Sequence, residues 1–275
     1  MTRNRPWPEE LDLISEKIGQ SIDLVQGPGG NTSWKDKQYM WVKASGLQLK
    51  DAVTNEIFCK VKLDEPFINL LNDGKHPSIE TSLHSILPYT YVVHVHAVFS
   101  MALGFQRQMS TEAIQFLKSA GLGVLDYYRP GKSLSNAIFS FLENSSVNRG
   151  LILKNHGIVL WGNEITEIYR DLMEIETKLA NLLPINGEIL AKIRENSLEA
   201  YLIGRFLTPD HAVFGPSMNA PVRNSTDDWL SHLRASLEKA ISCISDFEMI
   251  KFLDDEEVES LQNWEAEKAR RGMNT

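Results

Sequence analysis

The sequence predicts a layered α/β or α+β domain that ends in helices, and three observations carry this expectation. Short runs rich in Val, Tyr and Ile recur through the first two-thirds of the chain, as buried or half-buried strands do. Among them stand stretches with apolar residues at three- and four-residue steps, the period of a helix with one covered face. The segment 227–271 then reads as two charged amphipathic helices separated near Asp254-Asp255. The strands are too short and unevenly spaced to count βαβ units, so both layered classes stay open.

Taken in order, residues 7–22 place Leu11, Ile14, Ile18 and Ile22 on a helical stripe, and Gly27-Pro28-Gly29-Gly30-Asn31 then reads as a turn. Strands are expected at 39–44 and 57–61, the first closed by Ser45-Gly46, with a polar turn at Asn72-Asp73-Gly74-Lys75. A helix is expected from Pro77 or Ser78 to Leu87, capped by Ser78 and stopped by Pro88. Residues 91–96 form the next strand, and a strand pair at 150–154 and 158–160 brackets Asn155-His156-Gly157. The clearest helix is 165–183, with Ile168, Leu172, Ile175 and Leu179 on one face and Pro184 at its end. A further helix is expected over 189–202, and Val213-Phe214 reads as a short strand. Internal repeats and low-complexity tracts are absent from the sequence.

The chain has 275 residues, 43% hydrophobic and 23% charged, which suits one main soluble domain with a peripheral extension. Its formal net charge of −8 argues against nucleic acid and anionic membrane as partners, since both need a basic face. No run approaches the roughly 20 apolar residues of a membrane span, and the basic start lacks the apolar stretch of a secretory signal, so a cytoplasmic location is expected. Cys59 and Cys243 are far apart in apolar surroundings and read as two buried thiols rather than a disulfide framework.

His94-Val95-His96 lies in an apolar strand, where side chains at i and i+2 leave on the same face and two imidazoles can share one metal. Alone, the pair also suits two polar residues on a solvated strand face. His156, between two strands and before Gly157, makes a candidate third ligand, and three imidazoles leave a coordination position for substrate. Glu80 falls in the expected first turn of a helix, where the dipole favours its ionised form, and His84 stands one turn further on. Gly27-Pro28-Gly29-Gly30-Asn31-Thr32-Ser33 can expose a nest of N–H groups to an anion, and Lys43-Ala44-Ser45-Gly46 sets a cation beside a second small-residue turn. Neither a Walker A ending nor a Gly-x-Ser-x-Gly elbow occurs, which disfavours nucleotide phosphate cradling and serine hydrolysis.

In this order, Gly30-Asn31-Thr32-Ser33, Lys43-Ala44-Ser45-Gly46, Pro77-Ser78-Ile79-Glu80, His94-Val95-His96, Tyr128-Arg129-Pro130-Gly131 and Asn155-His156-Gly157 resemble the motifs of the class II aldolase/adducin family. The resemblance covers roughly residues 10–210. It implies a three-layer α/β/α sandwich around a largely antiparallel central sheet, commonly assembled as a homotetramer. A catalytic domain over 1–215 and a helical extension over 216–275 follow from it. By the resemblance His94, His96 and His156 hold a divalent metal, most naturally Zn2+, and Glu80 is the catalytic acid/base. Asn31, Thr32, Ser45, Gly46 and Ser78 become candidates for binding a substrate phosphate.

Ile79 departs from the pattern, because aldolases of sugar phosphates in this family commonly carry a second hydroxyl residue there. A lost hydroxyl donor to a charged acceptor is worth about 1.5–3 kcal/mol. The implied activity is that of a lyase, cleaving or forming a carbon–carbon bond in a small phosphorylated carbohydrate. Epimerase, dehydratase and decarboxylase chemistry on the same site are alternatives, as is a non-catalytic scaffold of the adducin kind. The lead-in at 207–211 looks like that of longer members related to the rhamnulose-phosphate aldolase branch.

Overall fold

The computed structural model describes residues 5–215 and 229–264. The basic start at 1–4, the stretch 216–228 of the extension and the last part of its second expected helix, 265–271, lie outside the described residues.

The elements run α1 (Glu9–Gly19), β1 (Asn31–Asp36), β2 (Tyr39–Lys43), β3 (Phe58–Lys62), α2 (Thr81–Ile86), β4 (Tyr91–Val95) and α3 (Val98–Gly104). They continue with α4 (Thr111–Ser119), β5 (Leu122–Leu125), α5 (Lys132–Glu143), β6 (Gly150–Leu153), β7 (Gly157–Gly162) and α6 (Ile165–Leu182). The C-terminal helices are α7 (Gly187–Asn196), α8 (Leu198–Tyr201), α9 (Pro209–Phe214), α10 (Trp229–Ser242) and α11 (Asp255–Asn263).

Seven strands form one sheet in the order β3-β2-β1-β4-β7-β6-β5. Every neighbouring pair is antiparallel except β5 with β6, so the expected largely antiparallel sheet is what the chain builds. Alternation along β4 divides the core. Val93 and Val95 join Ile158 and Leu160 beneath α1, α4 and α6, while Val92 joins Val159 and Trp161 beneath α2 and α5. His94 shares the face of Val92, so the strand period turns it toward the start of α2. A separate apolar cluster joins α3 to α7–α11 through Met101, Phe105, Leu202, Val213, Leu237 and Ile241.

Several elements differ from the sequence expectation. α1 ends at Gly19 and leaves Ile22 38% exposed. The expected turn through Asn31 instead passes into strand β1, whose polar run Asn31-Thr32-Ser33 is buried between two strands and compensated by side-chain hydrogen bonds. α2 begins at Thr81 rather than Ser78, because Ser78 closes a turn that accepts the Thr81 N–H and hydroxyl on its carbonyl. Ser197, at φ 72°, breaks the expected 189–202 helix in two. Val213-Phe214 belongs to a helix, since Thr208 accepts the His211 N–H at the N-cap and Pro209 takes the first turn. Helices α3, α4 and α5 and strand β5 had no sequence expectation. Cys59 is buried but Cys243 is only half-buried, and both thiols are free.

Candidate metal centre

His94 and His96 stand at the end of β4 and just beyond it, and His156 stands in the turn between β6 and β7, the strand paired with β4. Gly157 is required for that pairing, because a Cβ there would collide with the Val95 carbonyl. The three rings are buried, and among the described residues they form a cluster with spacing suited to a metal ion.

The hydrogen-bond network assigns two of the tautomers. His94 donates from Nδ1 to the Ile158 carbonyl at 3.0 Å, and His96 turns Nδ1 to the Asp210 carboxylate at 3.1 Å. Both protons are thereby placed on Nδ1, and the two Nε2 lone pairs face each other at 3.2 Å. Oε1 of Glu80 lies 3.5 Å from Nε2 of His94 and 3.1 Å from Nε2 of His156, and this buried oxygen has no hydrogen-bond partner. Ligands bound tetrahedrally at about 2.0–2.2 Å stand roughly 3.3–3.6 Å apart, close to the separations seen here, so the donors present fit one borderline divalent cation. The two Nε2 lone pairs of His94 and His96, converging with the Glu80 oxygen, also call for positive charge.

Burial pushes the Glu80 carboxyl up, but its Coulombic attraction to the charged forms of His94, His156 and His96 outweighs this, so the group gives up its proton well below the usual carboxylate range. Burial is the main influence on His94 and lowers its pKa to about 3, which keeps its imidazole neutral and able to ligate. The other oxygen of Glu80 accepts from Asn31 Nδ2 at 2.9 Å. Asn31 is oriented in turn by His84, whose Nε2 bonds Asn31 Oδ1 while Nδ1 bonds the Ser33 hydroxyl at 2.7 Å. His84 is fully buried, and its hydrogen-bonded route to Glu80 runs through Asn31.

The cavity over these residues is lined by Asn31, Ser45, Gly46 and Ser78 together with Lys43 and Ile79. Thr32 is not brought to it. Strand alternation turns Thr32 to the opposite face of the sheet, where its hydroxyl bonds Ser15 of α1 at 2.7 Å. The backbone of Asn31, Thr32 and Ser33 pairs with β4, so the part of the glycine-rich segment open to an anion ends at Gly30. The Lys43 ammonium is buried and donates to the carbonyls of Pro28 at 2.9 Å and Leu47 at 2.6 Å.

The profile of the Class II Aldolase and Adducin N-terminal domain matches residues 14–183. The chain belongs to this family. Class II aldolases use a divalent metal, and the histidine cluster lies inside the matched region. Among curated relatives, the uncharacterised oxidoreductase YuxG of Bacillus subtilis is 30% identical over 197 residues, covering 61% of this chain and 28% of its own length. The chain therefore matches less than a third of that relative. Methylthioribulose-1-phosphate dehydratase of Klebsiella pneumoniae is 27% identical over 167 residues, 54% of this chain and 81% of the relative. The solved N-terminal class II aldolase domain of a conserved protein from Thermoplasma acidophilum superposes with a TM-score of 0.54 at 25% identity, covering 66% of this chain and 99% of that domain.

Asp210 is the site residue that the sequence reading missed. It lies beyond the family match, and its local signal, a Thr-Pro-Asp helix start, says nothing about a neighbour on β4. No described helix is long and apolar enough to cross a membrane.

Proposed function

We propose that this chain is a zinc-dependent class II aldolase, a lyase acting on a small phosphorylated carbohydrate. The observation that carries the reading is the convergence of three imidazoles and the orphaned Glu80 oxygen at ligand spacing. His94, His96 and His156 would hold the ion, with Glu80 beside it. When bound, a divalent ion supplies the positive charge that offsets negative charge building on substrate oxygens as a carbon–carbon bond breaks.

The residues of the chain do the rest. Glu80, ionised and steadied by Asn31, takes or returns the proton at the reacting carbon. Asn31, Ser45, Gly46 and Ser78 line the wall that receives the phosphate, with the Lys43 charge behind it. Burial of these groups excludes water from the proton transfer. The likeness to a sugar-phosphate dehydratase over 81% of that enzyme supports a second reading, in which the same carboxylate removes a proton and water leaves. A homotetramer, a cytoplasmic location, a catalytic unit over 1–215 with its extension over 216–275, and no nucleic-acid or membrane partner belong to the same proposal.

Metal analysis of the purified chain tests it, followed by a screen of phosphorylated ketoses that separates two cleavage products from one dehydrated product. About one Zn2+ per chain is expected, reduced when His94, His96 or His156 becomes Ala. Unchanged metal content in all three variants sinks the assignment. A chain that lacks metal but binds a macromolecular partner would be an adducin-like scaffold instead.

A further inference from the structure

The helices beyond the family match reach the metal centre at two places. The first is Asp210 on α9, whose Oδ2 lies 3.1 Å from Nδ1 of His96 with both side chains buried. The second is Asn155, held at φ 54° immediately before His156. Its Nδ2 donates to the Leu207 carbonyl at 2.9 Å and to the Lys251 carbonyl at 2.8 Å. Both segments carrying the candidate histidine ligands are thus fastened to the C-terminal part of the chain.

α9 is itself fixed. Thr208 caps it, the Leu207 N–H donates to His211 Nδ1 at 3.2 Å, and Gln262 of α11 donates to the Ala212 carbonyl at 3.0 Å. The glycine-rich loop closes over the other side of the pair. A Cβ on Gly29 would stand 3.1 Å from both Asp210 Oδ2 and His96 Nδ1, so the loop sits close against the carboxylate–imidazole contact and a side chain there would press on it.

We propose that Asp210 is a positioning residue of the metal centre, through which the C-terminal helices hold His96 with its proton on Nδ1 and its Nε2 lone pair turned to the ion. This rests on the metal reading above. A carboxylate that accepts from the outer N–H of a ligating imidazole fixes the tautomer, restricts the ring and makes the ligating nitrogen a better donor. A neutral imidazole without that acceptor can carry its proton on Nε2, where it cannot ligate. Segment 207–214 is on this account part of the centre, and the working unit extends past the family match.

The test is Zn2+ affinity of the full chain, measured by competition with a chelator, for wild type, Asp210→Ala, Asp210→Asn and His156→Ala. Loss of such a partner typically weakens metal binding about 10- to 100-fold, which is the expected rise in Kd for Asp210→Ala. Asp210→Asn keeps a neutral acceptor and should fall between Ala and wild type. With metal stripped, Asp210→Asn should melt within a few degrees of wild type, and this separates a role in binding from one in folding. Should Asp210→Ala fail to fold, Asp210→Asn decides: a Kd within twofold of wild type overturns the inference. If wild type binds Zn2+ no better than His156→Ala, the metal reading itself has failed. If His156→Ala loses affinity while both folded Asp210 variants match wild type, only the role of Asp210 is lost.

Discussion

Glu80 and Glu176 are each 6% exposed, on opposite sides of the same sheet, yet the protein sets their charge in opposite directions. Glu176, on α6, receives the N–H groups of Phe99 and Ser100 at 3.0 Å each and the Ser100 hydroxyl, at the start of α3, the helix that follows β4. These are neutral donors, and burial wins: its pKa rises to about 7. Glu80 has one amide donor and a ring of imidazoles, and there the rings win. Burial alone therefore does not fix the state of a carboxyl group. The nature of its neighbours does, and of the two it is the carboxyl amid the imidazoles that is held in its ionised form.

The sharpest way to break this comparison is Glu80→Gln, which keeps the shape and removes the titratable group. Turnover on the identified substrate should fall about 10²- to 10⁴-fold, with Zn2+ resupplied and metal content measured on the same preparation. Full occupancy with near-native turnover would reduce Glu80 to a residue that merely precedes a helix.

A smaller effect is expected at Glu176. Its folded-state pKa lies above the ordinary 4.5, so the stability it contributes is fully present below about 4.5 and is lost as pH rises through about 7. The rise corresponds to at most about 3 kcal/mol. Unfolding temperatures of the metal-stripped chain, taken across that window, should decline more steeply for wild type than for Glu176→Gln, by a few degrees overall. Parallel profiles would show that Glu176 is ionised like Glu80 and would erase the contrast.

The smallest effect concerns the residue beside Glu80. Ile79 lines the cavity between Ser78 and Glu80, and Ile79→Ser restores a hydroxyl to the wall proposed for phosphate. A gain of about 1.5 kcal/mol would lower KM roughly tenfold for phosphorylated substrates but not for their unphosphorylated counterparts. Equal changes in both would mean that position 79 does not read phosphate.

What the sequence determined by itself rests on short-range geometry. The i, i+2 step that puts His94 and His96 on one face and the three- and four-residue period of α6 follow from chain covalency and strand or helix pitch, while the ordered motifs marked the family by resemblance. Tertiary structure decided what depends on distant partners. Strand β1 was not legible because its buried residues are Asn31, Thr32 and Ser33, which become acceptable in a sheet interior only through Ser15, His84 and Glu80. The same packing sent Thr32 away from the cavity that Asn31 enters. α3 and β5 are short elements whose apolar runs, without alternation or a polar face, do not tell strand from helix. Asp210 reaches His96 only because α3 and the C-terminal helices share a core, and α9 is pinned by caps and by α11. No local pattern encodes such a contact, since its energy comes from groups that meet only when the whole chain has folded.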